Sequence, residues 1–324
     1  MTNVLDVPER RDRGPAIGPD PRAAAAHVAA GGSPLDLVRA PDWFSYSTLD
    51  TFERCPRQYA FRYLCRLPAE QARPAATFGS AAHAAFEAFT RDRRQRSTRG
   101  EQPPGRVDLE RWFESAWAAT SLPAEPEAET WRRRAEPMLD GFWAAESAVH
   151  FDTFGEELRF RLRLPLDPET LVVVSGFIDR IDRLPSGTVE LIDYKTGQAC
   201  APDEAESSLQ LSIYALACRD SLGLGRPERA TLYFVEQDRR VSVVRTDAAL
   251  DTVRTDLAAR ARQIRGSDFA PTPSPRSCGW CDFAALCPVN ALAAGSPADQ
   301  TRGAGLDCRD GDSISRWPAL PTPL

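Results

Sequence analysis

The stretch Leu191-Ile192-Asp193-Tyr194-Lys195-Thr196-Gly197 ends an apolar run with a carboxylate and an ammonium two positions apart. Lys195 is the sole lysine: of 40 Lys+Arg, 39 are Arg. Arg is a planar, permanently charged fork, whereas Lys is a compact ammonium that can approach one oxygen closely. One Lys in a chain that otherwise uses Arg points to a site that needs an ammonium; chance survival under a compositional bias is the plain alternative. Residues two apart on a strand share a face, so Asp193 and Lys195 project side by side, backed by Val189 and Leu191, while Tyr194 points the other way. Asp179, on the preceding hairpin strand, can share their cleft. Hard divalent cations such as Mg²⁺ take carboxylate oxygens plus water and substrate phosphate. Such an ion can generate a nucleophilic hydroxide and offset charge on a phosphate, and Lys adds positive charge at the same place.

Each of these residues also has an ordinary structural use. Asp179 has Arg180 and Arg183 beside it, and a surface Asp193–Lys195 pair is worth about 0–1 kcal/mol. His83, four before Glu87 on an apolar helix, suits a hydrogen-bonded core histidine. Gln210 and Tyr214, also four apart, suit helix surface and core.

A second ligand-type segment is Cys278-x-x-Cys281-x5-Cys287-Pro288. C-x2-C is a tight-turn spacing for two thiolates on one metal centre. Cys55, followed by Pro56, is the natural fourth ligand. Cys65, Cys200, Cys218 and Cys308 lack this spacing.

The elements that must position these groups follow from periodicity. A capping-box-like Ser47/Asp50 opens a helix that Cys55-Pro56 interrupts. A helix is expected from Phe78 to about Arg96, with Phe78, Ala82, Phe86 and Phe89 inward. Helices around Leu109–Trp117 and from about Glu127 to Ala148 follow, the latter with Trp131, Met138, Leu139, Phe142 and Trp143 inward. Leu158, Phe160, Leu162 and Leu164 alternate with Arg159, Arg161 and Arg163, a half-buried strand. Leu171–Leu184, the turn Pro185-Ser186-Gly187 and Thr188–Lys195 complete an antiparallel meander. A helix over Glu206–Asp220, strands Ala230–Glu236 and Val241–Arg245, and a helix over 247–265 lead through Pro271–Pro275 to the Cys segment.

Hydrophobic content of 42%, charge of 27% and a net charge of −6 describe an ordinary globular composition with no global basic field for nucleic acid. Phosphate contacts then fall to local clusters: Arg91, Arg93, Arg94 and Arg96; Arg132–Arg134; Arg260, Arg262 and Arg265. No apolar run is long enough to span a bilayer and no signal peptide is evident, so a cytoplasmic protein is expected, where cysteines serve as ligands or core rather than disulfides. A P-loop is excluded, because the one Lys has the wrong context. The K-T-G of penicillin-binding proteins is excluded too, since their S-x-x-K needs another lysine.

In order, Gly79-x-x-x-His83-x-x-x-Glu87, Gly176-Phe177-Ile178-Asp179, Asp193-Tyr194-Lys195-Thr196-Gly197 and Gln210-x-x-x-Tyr214 resemble the PD-(D/E)XK nuclease superfamily, in its RecB-type branch of AddB-like and CRISPR-associated exonucleases. The resemblance runs from about Phe44 to Val289. It departs from the name's motif in having no Pro before Asp179, and Asp193 rather than Glu. It implies an α/β restriction-endonuclease-like core, a small mixed sheet flanked by helices, with a helical insertion at about 105–150 inside a nuclease domain over 43–290. A disordered leader over 1–42 and a flexible tail over 291–324 are expected on composition. The resemblance further implies a Mg²⁺- or Mn²⁺-dependent nuclease in DNA repair or recombination. Its substrate would be DNA, single-stranded or at ends, cut exonucleolytically. His83, Asp179, Asp193 and the Tyr194 carbonyl would be metal ligands. Lys195 would activate water, and Gln210 and Tyr214 would support the site and touch DNA. Glu87 would sit behind the ligands or on the helix surface. By the same resemblance Cys55, Cys278, Cys281 and Cys287 would hold a [4Fe–4S] cluster, with Zn²⁺ as the rival occupant. A subunit working only with a helicase and a non-catalytic iron–sulfur or zinc scaffold are the alternative roles.

Overall fold

The computed structural model of the protein describes residues 41–68, 74–120, 127–148, 151–199, 201–279, 281–287 and 289, with residues 23 and 27. The leader expected over 1–42 falls almost wholly, and the tail over 291–324 wholly, outside the described residues, as do Cys200 and Cys308.

Strand β1 (Trp43–Phe44) enters helix α1 (Tyr46–Arg54). The helix starts two residues earlier than the Ser47/Asp50 spacing suggests, with Ser45 rather than Ser47 as its N-cap. Ser45 is extended (φ −135°, ψ 168°) and caps the Thr48 N–H, while the Thr48 hydroxyl accepts from the Ser45 N–H at 2.8 Å. An N-cap needs that non-helical backbone. Asp50 is instead buried and paired with Arg54 at 3.0 Å. Cys55 breaks the helix (φ −164°, ψ 112°), and Pro56 opens α2 (Pro56–Tyr59), which widens into a π-turn over Ala60–Leu64.

Three helices follow: α3 (Pro74–Thr98), α4 (Arg106–Ala118) and α5 (Glu127–Ala148). Phe78, Phe86 and Phe89 of α3 meet Phe113, Trp117, Met138 and Phe142 in one core. Phe86 stacks on Phe142 with ring centroids 4.2 Å apart. Trp143, expected inward, is 36% exposed. Phe142 is the residue that takes the core position, so its neighbour is turned out by the helical period.

The meander is β2 (Asp152–Pro165), β3 (Leu171–Arg183) and β4 (Val189–Lys195), followed by α6 (Pro202–Glu206), α7 (Leu209–Asp220), β5 (Arg229–Phe234), β6 (Arg239–Val243), α8 (Asp247–Arg265) and α9 (Pro275–Gly279). The single helix expected over Glu206–Asp220 is two, because Ser208 is extended and caps α7 through the Leu211 N–H. Among the described residues the sheet is six-stranded and mixed, in the order β1-β3-β4-β5-β6 with β2 on β3. β1–β3 and β4–β5 are parallel, the other pairs antiparallel. One face packs on α1, α7 and α8; the other, at β4 and β5, packs on α3, α4 and α5. The mixed α/β core with flanking helices matches the expectation.

Two irregularities position the site. The edge of β3 pairs with β1 at Val173 and Val174, then with β4 from Arg180 to Arg183. Between them, Ser175 to Asp179 has no strand partner on that edge among the described residues. In addition, β3 inverts its alternation at Asp179. Val172, Val174 and Ile178 face the α7/α8 core before it, and Ile181 faces the same core after it. Opposite Asp179, Glu157 of β2 carries φ +48°, an uncommon backbone for a non-glycine residue. Such a local twist re-aims a side chain, here that of Asp179.

Candidate active site at the parting of two strands

β4 is buried along its length, and its two faces serve different cores. Leu191 faces the α7/α8 side, Ile192 and Tyr194 the α3/α5 side. Asp193 and Lys195 share the face of Leu191, as strand period requires, and meet α7 there. The Lys195 Nζ lies 2.9 Å from Asp193 Oδ2 and donates to Gln210 Oε1 at 3.0 Å. Gln210 Nε2 donates to Asp193 Oδ1 and to the Tyr214 hydroxyl, each at 2.9 Å. The amide orientation is forced: a carboxylate only accepts and an ammonium only donates. One glutamine therefore locks the carboxylate, the ammonium and a phenol. Burial first, then the Asp193 and Asp179 carboxylates, push the Tyr214 phenol well above its usual range, so it stays protonated.

Asp179 completes the site from β3. Its Oδ2 accepts from the Tyr194 N–H at 2.8 Å and lies 3.3 Å from His83 Nδ1. Burial pushes its carboxyl upward. His83, the Tyr194 N–H and Lys195 outweigh that and hold it below the usual carboxylate range. Asp179 is thus an anion beside Asp193. His83 comes from α3, its ring edge-on to Tyr194 with centroids 6.2 Å apart. The approach of α3 to the loop after β4 is close: a Cβ on Gly79 would meet Thr196 Oγ1 at 3.2 Å. Gly176 has a parallel reason, since its Cβ would lie 3.0 Å from the Phe160 ring, which packs edge-on against Tyr214.

His83, Asp179, Asp193, Tyr194, Lys195, Gln210 and Tyr214 are therefore brought together. Glu87 is not: it pairs with Arg91 along α3. Asp179 and Asp193 supply hard oxygens and His83 an imidazole nitrogen, a donor set suited to Mg²⁺ or Mn²⁺. Among the described residues no group of three or more His, Cys, Asp or Glu is already arranged around one point as a ligand set. The carboxylates are instead bonded to His83, Lys195, Gln210 and the Tyr194 N–H.

The same holds for the cysteines. Cys55, Cys278, Cys281 and Cys287 line one small pocket with Gln58, Phe61 and Pro271. Burial pushes the Cys281 thiol up, and the nearby Cys55 and Cys287 add to it. Far-separated cysteines are thus gathered in one place, without a preformed ligand geometry. Cys65 and Cys218 are buried core residues.

Sequence reasoning overlooked two supports. Arg134 of α5 donates to the Thr196 carbonyl at 3.0 Å and to Glu236 at 2.9 Å, holding the loop that follows Lys195. Arg180, fully buried, donates to Glu146 at 2.8 Å, to both oxygens of Asp182 at 2.7 Å, and to the Tyr194 hydroxyl at 3.3 Å. An arginine inside an otherwise apolar strand, two before an acid, was the available signal. The arginine clusters expected to meet phosphate are largely engaged within the chain. Arg93 pairs with Glu146, Arg94 with Glu156, Arg96 with Asp92, Arg132 with Glu129, and Arg260 with Glu53. Arg262 and Arg265 donate to the carbonyls of Leu166 and Pro41. In an acidic chain, carboxylates are near enough to take them.

Compared with known proteins, residues 43–288 match the family model described as the PD-(D/E)XK nuclease superfamily. Gene 69 protein of Mycobacterium phage L5 is 31% identical over 122 residues, 36% of this chain and 40% of the relative. Gene 69 protein of Mycobacterium phage D29 is 27% identical over 123 residues, 36% of this chain and 44% of the relative. These matches span less than half the length of either curated relative. The solved structure SSO0001 superposes with a TM-score of 0.36 at 14% identity, over 82% of this chain and 93% of that one.

Proposed function

The chain belongs to the PD-(D/E)XK nuclease superfamily, and we propose that it hydrolyses phosphodiester bonds of DNA with a divalent metal, acting on single strands from an end during repair or recombination. The observation that supports this best is the Lys195–Asp193–Gln210–Tyr214 network facing the anionic Asp179 where β3 and β4 part. In this reading Asp179, Asp193, His83 and the Tyr194 carbonyl hold Mg²⁺ or Mn²⁺. When bound, that ion supplies Lewis-acid stabilisation and lowers the pKa of water. Lys195 orients the attacking water and offsets the charge that grows on the phosphate. Gln210 fixes the separation of Lys195 and Asp193, so neither must reorganise during the reaction. Tyr214, kept protonated, offers a neutral hydroxyl beside the phosphate path rather than a repelling phenolate. Asp179 holds His83 and the end of β4 in place.

The test is cleavage of 5′- and 3′-end-labelled single strands by the full chain, with Mg²⁺, with Mn²⁺, and in EDTA. We expect metal-dependent products from one end, falling at least ~100-fold in Lys195→Ala. A wild type inert with both ions, alone and with a helicase, overturns the reading.

The pocket shared by Cys55, Cys278, Cys281 and Cys287 supports a second proposal, a metal centre tying α2 to the C-terminal segment. Neighbouring, half-buried sulfurs repel one another as thiolates, and a cluster or Zn²⁺ would remove that cost. A [4Fe–4S] cluster predicts a brown protein whose visible absorbance bleaches on reduction. A colourless protein loaded with zinc selects the rival, and a metal-free one dismisses both.

A further inference from the structure

The outer face of β2 and β3 carries a stripe that the proposed chemistry does not use. Before the inversion at Asp179, the even residues of β3 face the core; on the other face Leu171 and Phe177 are exposed, Val173 is half-buried and Ser175 is buried. On β2 the outward residues are Arg159, Arg161 and Arg163, in register with Phe177, Ser175 and Val173 respectively. Trp43 of β1 pairs with Val173 and lies on the same face, with the Arg161 guanidinium 5.4 Å from its ring centroid. Phe177 is 45% exposed, two residues before Asp179. Beyond the inversion this face is covered: Glu156 meets Arg94 of α3, and Arg180 meets Glu146 of α5. The open stretch therefore ends at His83 and Asp179. Glu157 and Asp179 are its acidic end, at the site; Asp167 and Glu169 lie in the turn past its other end.

We propose that this stripe is the track along which a single strand of DNA reaches the site, with Arg159, Arg161 and Arg163 on its phosphates and Phe177 stacked on a base. Alternate strand residues are about 6.7 Å apart, a repeat commensurate with an extended polynucleotide backbone. Basic groups along a groove with exposed aromatic rings are the physical means of holding a single strand without reading its sequence. A duplex hides its base faces, so the exposed Phe177 ring, opposite Arg159, has a base to stack on only when the strand is single. A chain of net charge −6 has no global attraction for DNA, so a local comb of cations is needed. This inference rests on the proposed nuclease reading for the identity of the site it leads to.

The experiment is fluorescence anisotropy of a labelled oligothymidylate, and of a duplex of equal length, with the full chain in EDTA. Phe177→Ala should weaken single-strand binding about tenfold and leave duplex binding within about twofold, while Phe177→Trp restores it. The triple variant Arg159→Gln, Arg161→Gln, Arg163→Gln should reduce the slope of log affinity against log salt by about 2, at about 0.7 per lost phosphate contact. Unchanged binding in both variants overturns the track, as does an equal loss for single strand and duplex. Because binding is read without metal, the two readings separate. If the chain cleaves nothing yet shows these losses, the track stands and the cleavage reading falls. If it cleaves and the losses are absent, the track falls and the cleavage reading stands.

Discussion

The carboxylate of Asp179 accepts a 2.8 Å hydrogen bond from the backbone N–H of Tyr194 across the point where β3 and β4 separate. The two strands pair only as far as Arg180↔Ile192. Beyond that, a side chain replaces the backbone partner that Tyr194 would have had in a continued ladder. Asp179 is therefore both part of the proposed metal site and the clasp that ends the hairpin.

Those two roles separate by substitution. In Asp179→Asn the amide oxygen still accepts from Tyr194 while the charge facing His83 and Lys195 is gone, so thermal stability should fall less than in Asp179→Ala while metal-dependent cleavage is lost. In Asp179→Ala the buried N–H has no acceptor, and stability should also fall by about 1–3 kcal/mol. Thermal denaturation beside the cleavage assay checks both. Equal stability in the two variants would show that the clasp contributes nothing.

Behind β4, Glu146 is buried and faces Arg180 at 2.8 Å and Arg93 at 2.7 Å. The Arg180, Arg93 and Arg240 guanidiniums also surround the Phe151 ring, at 4.6, 5.3 and 5.5 Å. Removing one partner strands a buried charge, so Glu146→Ala should destabilise by about 3–5 kcal/mol. Urea denaturation reads this directly. A loss under about 1 kcal/mol would mean that water reaches the network.

The cysteines should divide by environment. Burial pushes the Cys65 thiol up to about 11 and the Cys218 thiol up to about 12. Neither forms much thiolate at pH 8, and the thiolate is the reactive species. Iodoacetamide followed by peptide mapping should leave both unmodified in the folded protein. Cys55, Cys278, Cys281 and Cys287 should be labelled once bound metal has been stripped, and protected before. Rapid native labelling of Cys218 would contradict its burial.

At the end of α7, Asp220 carries hydrogen bonds from Arg219 and Arg254. Burial raises its carboxyl, but the two guanidiniums outweigh this and hold it below the usual range. A depressed folded pKa stabilises above the unfolded value of about 3.9, and that contribution disappears as pH falls through the folded pKa. Asp220→Asn should thus lower stability by about 1 kcal/mol at pH 7, the scale of an exposed pair. The gap from wild type should close in acid. Melting curves across pH measure it, and a gap that persists below pH ~2 would contradict the linkage.

Much of the site was legible in the chain because strand and helix periods are local. The two-residue spacing placed Asp193 beside Lys195 and turned Tyr194 away, as observed. The four-residue spacing placed Gln210 over Tyr214. Gly79 and Gly176 stood out in the motifs, and each proves to lie where a Cβ would crowd Thr196 or Phe160. The cap of α1 was misplaced because both Ser45 and Ser47 suit an N-cap, and only backbone dihedrals distinguish them. The arginine clusters read as phosphate contacts because sequence shows charge but not its partner.

By itself, the sequence determined the order of the main helices and strands, the faces of β4 and of most helical side chains, and the chemical types gathered at the strand end, since these follow from local geometry and alternation. Tertiary structure alone decided three things. It parted β3 from β4 beyond Arg180 and turned Asp179 across the gap to Tyr194, through an inversion opposite Glu157 that no spacing records. It brought Cys55 to the pocket of Cys278, Cys281 and Cys287. It also took most of the helical arginines into pairs with carboxylates, and set Arg159, Arg161 and Arg163 in register with Phe177, Ser175 and Val173 of the neighbouring strand. Each depends on which distant surfaces meet when the sheet twists and the helices pack, and contacts between residues far apart in sequence leave no period in the chain that makes them.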